Sequence, residues 1–104
     1  MAPIPDELLV HEAVIEPYKG EGGRGALYGP PTTVRCFRED ARRQVRDQLG
    51  ELVVSETTLY ARPGTAAPPK SRVTTNGRTA FVIAVKDHDS GTAEEIDHVE
   101  VRLT

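Results

Sequence analysis

The chain has 104 residues, enough for one hydrophobic core and too few for a second of useful size. Lys and Arg number 13 against 16 Asp and Glu, and the formal charge of −3 excludes a uniformly basic surface built to bind polyanions. The single cysteine, Cys36, excludes an intramolecular disulfide, and no apolar run approaches the roughly 18 residues of a membrane-spanning helix.

Hydrophobic residues make up 38% of the chain and aromatic residues 5%, so the core is thin and suited to completion by neighbours. The N-terminus MAPIPDELLV lacks the basic and apolar regions of a signal peptide, which leads us to expect folding in a reducing cytoplasm with Cys36 as a small buried hydrophobe.

Residues 7–17 (ELLVHEAVIEP) mix β-branched and apolar residues before Pro17, and they predict a first strand. Glycines at 20, 22, 23, 25 and 29 and the pair Pro30-Pro31 then predict a long loop over 18–31. A loop of that length either stays mobile or packs on a neighbour, so Gly22, Gly23, Arg24 and Tyr28 are candidate subunit or partner contacts. Thr32 to Phe37 reads as a second strand.

The segment REDARRQVRDQLG has two readings. Ala41, Val45 and Leu49 recur at four-residue spacing and Glu39 can reach Arg43, as in a helix. Asp47 to Gly50 also fits a hairpin connection, with Gly50 left-handed, leading into the β-rich run LVVSETTLYA. The hairpin is the reading adopted. Arg38, Arg42, Arg43 and Arg46 concentrate positive charge here, either as a solvated face or as a contact for DNA phosphates or an acidic partner. Without aromatic residues between these arginines, only backbone-level contact with nucleic acid is expected.

Three prolines in RPGTAAPPK make residues 62–71 a second long connector, and Pro63, Pro68 and Pro69 join the candidate partner contacts. Asn76-Gly77, between VTT and RTAFVIAV, predicts a two-residue type I′ turn. Phe81, Ile83 and Val85 alternate with Val82 and Ala84, which predicts a central strand with two apolar faces at the heart of the core. Val99, Val101 and Leu103 alternate with polar residues, the pattern of a strand with one wet face. Five to seven short antiparallel strands with long Gly/Pro-rich loops and no long amphipathic helix define an all-β barrel or sandwich, one domain over 1–104.

Motifs for catalysis are missing. The run GEGGRG lacks the Lys-Ser/Thr and following helix of a phosphate-binding loop. Asp87, His88, Asp89, Glu94, Glu95, Asp97 and His98 are dense in potential ligands, but they follow no calcium or zinc spacing and read as a solvated acidic turn. His11 sits in a strand with no partner pattern for ligation. We therefore expect no catalytic residues, metal or cofactor.

Arg43, Val45, Asp47 and Gly50, then Val53, Val54 and Ser55, then Asn76-Gly77, Phe81 to Val85 and the closing VEVRLT resemble, in that order, the head completion or stopper proteins of long-tailed bacteriophages. The likeness covers residues 32–104, and the first third shares only the plan of a strand followed by a glycine-rich loop. It implies a non-enzymatic virion subunit, made in the host bacterial cytoplasm. It further implies a β-barrel in a homo-oligomeric ring, a hexamer by family precedent, between the portal or adaptor and the tail terminator or tail protein. Such a ring retains packaged double-stranded DNA, and its gate corresponds to Glu39 to Gly50 here. The alternatives are a free-standing β-barrel module binding nucleic acid or protein, or another neck or tail component such as a tail terminator.

Overall fold

A computed structural model describes residues 2–3, 6–88 and 96–104. Nine strands run through these residues: β1 (Ala2–Pro3), β2 (His11–Glu16), β3 (Tyr18–Gly22), β4 (Gly25–Tyr28), β5 (Thr32–Arg46), β6 (Leu52–Ala61), β7 (Arg72–Thr75), β8 (Arg78–His88) and β9 (Ile96–Leu103). A single 3-10 turn, Asp6–Leu8, precedes β2.

Six strands in the order β9-β6-β5-β2-β7-β8 close into a barrel, because β8 also pairs with β9. All six pairings in the ring are antiparallel. Closure removes the open edges that an unrolled sheet would expose. Short β1 adds a parallel pair to the start of β9.

Alternation along each strand fills the interior. Val99, Val101 and Leu103 of β9 are almost fully buried, while His98, Glu100 and Arg102 face outward, as the sequence pattern predicts. They meet Leu59, Val73, Val82, Ile15 and Cys36 in one cluster. Burying an aliphatic side chain of this size contributes about 1.5–3 kcal/mol, so a thin core still holds a small barrel.

Two turns behave as their sequences predict. Thr75 pairs with Arg78 across Asn76 and Gly77, whose φ values of 53° and 73° are the two positive angles that a type I′ turn requires. At Asp47 to Gly50 the chain reverses as a hairpin and not a helix, with Gly50 at φ 82°. Asp47 Oδ1 accepts the amides of Leu49 and Glu51 and holds the turn.

Two expectations need correction. The 18–31 segment is not a long loop: β3 and β4 pair as a hairpin, and only Gly23 and Arg24 form its turn. The ordering comes from outside the segment, since the Tyr18 amide donates to Ser71 Oγ at 2.9 Å and Tyr28 lies edge-on to Tyr18 and under the Arg72 guanidinium. Gly20 and Gly25, at φ 115° and 110°, take backbone angles that other residues rarely adopt.

Phe81, in turn, is not at the heart of the core but 43% exposed. A register shift between Val82 and Ala84 breaks the strict alternation, so Ala80 and Val82 face inward before it and Val85 packs on the core after it. The 62–71 connector is irregular as expected, with Pro63 and Pro68 exposed, Pro69 half-buried and Ala67 buried beneath.

Candidate functional site

The strand that runs past the barrel carries Arg38, Arg42, Arg43 and Arg46. β2 covers β5 only as far as Cys36, and β9 covers β6 only from Thr57 onward. Beyond those points β5 and β6 continue as a two-stranded arm, Arg43 to Arg46 against Leu52 to Ser55. At its base the register slips between Asp40 and Arg43, a bulge that re-aims the side chains beyond it.

Arg43 and Arg46 lie on this arm and Arg42 lies in the bulge at its base; all three are exposed, yet each has a local acceptor. Arg42 Nε stands 3.6 Å from Glu56, Arg43 pairs with Glu39, and Arg46 Nη1 donates to the Gly50 carbonyl at 2.6 Å. The Arg42 side chain remains 74% exposed, and an exposed ion pair of this kind contributes about 1 kcal/mol at most, so it exchanges readily for another anion. Arg38 has a different role. Its side chain turns into the barrel mouth, where Nε meets Asp40 at 3.3 Å and Nη1 donates to Thr75 Oγ1.

That mouth is a polar cleft of about 330 Å³ lined by Arg38, Asp40, Glu56, Thr57, Asn76 and Arg78, among others. Thr57 Oγ1 donates to Asp40 at 3.0 Å, and Arg78 donates to the Thr104 carbonyl at 2.6 Å. Ser55, fully buried at the base of the arm, donates its hydroxyl to the Leu103 carbonyl at 2.9 Å. The end of β9 is thus tied off by side chains from β6 and β8. Sequence reasoning missed this network. The usable signal was polar residues at inward positions: Arg38 and Asp40 follow Cys36 with the same two-residue period.

On the outer wall His11, Phe37, Tyr60 and His98 form a row across β2, β5, β6 and β9, with successive ring centroids 5.7, 6.2 and 5.8 Å apart. Tyr60 is pushed above its ordinary pKa by burial and by the neighbouring Glu39 carboxylate. His11 also accepts the Arg38 amide through Nδ1, so it is a structural acceptor within the strand pairing.

The candidate partner contacts fall at the opposite end of β2. Gly22, Gly23 and Arg24 form the exposed tip of the β3–β4 hairpin. Tyr28 instead faces the barrel and anchors that hairpin, with the Arg72 guanidinium 4.6 Å from its ring centre. Arg72 also grips Glu16 through two hydrogen bonds, of 2.9 and 2.6 Å, which hold the Glu16 carboxyl below its ordinary pKa.

Among the described residues no group of three His, Cys, Asp or Glu converges as a metal site. Asp89, Glu94 and Glu95 of the acidic turn lie outside the described residues. No helix among the described residues is long and apolar enough to cross a membrane. The chain matches no protein-family model and no curated protein sequence.

Proposed function

We propose that this chain is a structural subunit of the bacteriophage neck. It assembles as a ring between portal or adaptor and tail, with the β5–β6 arm turned toward the DNA channel. One observation carries the reading: a small closed barrel bears a long two-stranded arm at the segment that resembles the gate of head completion proteins. Arg42 and Arg46 then exchange their weak local acceptors for DNA phosphates, a contact that neutralises charge without reading sequence. The tip at Gly22 to Arg24 and the prolines at 63, 68 and 69 meet neighbours along the neck axis.

Changing Arg42 and Arg46 together to Glu tests the arm. Both are exposed, so the fold should survive, and particles should leak DNA or fail to join tails. Normal infectious yield with the variant incorporated refutes the channel role and leaves a scaffold.

The polar cleft at the barrel mouth favours a second reading, a free-standing binding module. A protein that stays monomeric when concentrated, and binds DNA with steep salt dependence, would select it over the ring.

A further inference from the structure

Two unlike apolar features sit on opposite walls of the barrel. The first is a groove of about 310 Å³ at the end of β9, with Leu49, Val53, Val54, Val82 and Ile83 along it and Lys70 at its wall. It runs beside the part of β6 that β9 does not cover, since their pairing stops at Thr57 and Leu103. Leu49 on the arm tip is 79% exposed at its lip.

The second feature is the segment leading into β2. Leu8 and Val10 are 46% and 62% exposed, while Leu9 between them is fully buried. Arg35 fixes this arrangement, because its Nε and Nη2 both donate to the Leu9 carbonyl, at 3.1 and 2.9 Å. The backbone is therefore held so that alternate apolar side chains point away from the barrel.

Leu8, the last residue of the 3-10 turn, and Val10 thus stand out on either side of buried Leu9, and a pair of projecting apolar side chains is what a groove beside an uncovered strand accepts. The charges also match. Lys70 is the cation of the groove wall, whereas Asp47, the wall's carboxylate, is turned back onto the amides of its own turn. Exposed Glu7, next to Leu8, brings the complementary carboxylate to Lys70.

We propose that Leu8 and Val10 of one copy of this chain seat in the β9-end groove of a second copy, with Glu7 directed to Lys70. In a ring of six strands β2 and β9 are three places apart, so a copy does not fill its own groove. The contact joins two different surfaces and repeats from copy to copy, which generates a closed ring or a filament. This deepens the ring assembly proposed above and rests on that reading only for closure.

The test is light scattering on the full chain with two single variants, Val10→Asp and Leu49→Asp. Both positions are exposed, so unchanged melting curves should certify the fold. Each variant alone should associate about tenfold more weakly than the wild type, or worse, because a carboxylate replaces an apolar anchor. Mixed, they should form a one-to-one dimer and nothing larger: the Leu49→Asp copy still offers Val10, and the Val10→Asp copy still offers its groove. Variants that assemble like the wild type overturn this contact while leaving a ring built elsewhere intact. A mixture no larger than its components overturns it too. A wild-type chain that stays monomeric when concentrated overturns self-assembly through these surfaces, while the neck assignment is judged separately by incorporation into particles.

Discussion

Replacing Gly77 by Val perturbs the backbone without touching the packing. A Cβ built on Gly77 meets no heavy atom within 4 Å, so any destabilisation comes from the φ of 73° that the turn imposes. Holding an ordinary residue in the left-handed region costs about 1–2 kcal/mol, and a β-branched side chain sits at the upper end. Restricting the unfolded chain offsets about 0.4–1 kcal/mol of this. The net loss is on the order of 1 kcal/mol, which for a domain of this size lowers the melting temperature by about 4–8 °C. Gly77→Asn should lose less, because Asn tolerates the left-handed region, as Asn76 does beside it at φ 53°. Thermal melts of both variants by circular dichroism check the argument. An unchanged melting temperature for Val, or equal losses for Val and Asn, would refute it.

The Glu16–Arg72 pair predicts a pH effect whose sign follows from the lowered Glu16 pKa. Its stabilisation is fully present above the ordinary value of 4.5 and is lost as pH falls through the lower folded value. The melting-temperature gap between wild type and Glu16→Gln should therefore narrow progressively as pH falls below 4.5, and a gap that stays constant on acidification would contradict the pairing. Burial pushes the Cys36 thiol up to about 11, so labelling at pH 8 should be slow in the native protein and fast after denaturation. Equal rates in the two states would place the thiol outside the core.

Local chemistry was legible wherever one residue type answers one backbone demand. Asn76-Gly77 and Gly50 each supply positive φ at a reversal, and the β9 alternation records which face meets the core. The features that escaped depend on partners distant in the chain. Nothing in residues 18–31 announces that Ser71 and Arg72 will order them, and glycines by themselves argue for looseness. Phe81 misled for a related reason: hydrophobicity marks it as core, but a one-residue slip with β9 decides which side it faces. The arginine cluster was visible as charge, whereas Glu56 lies across the pairing and the Gly50 carbonyl is a main-chain group.

Closing the barrel with β9 has a consequence for biosynthesis. That strand lies between β6 and β8, and it brings Val99, Val101 and Leu103 to the interior. A chain in which β9 has not docked holds at most a five-strand sheet with β6 and β8 as two open edges and an unfilled apolar lane between them. Hairpins pair within microseconds, so such a sheet stays open for the whole interval before β9 docks. Stalling or cleavage before Val99 would leave it permanently adhesive. A chaperone that recognises extended apolar strands would have its opportunity in that interval, and it would lose its binding site when β9 docks.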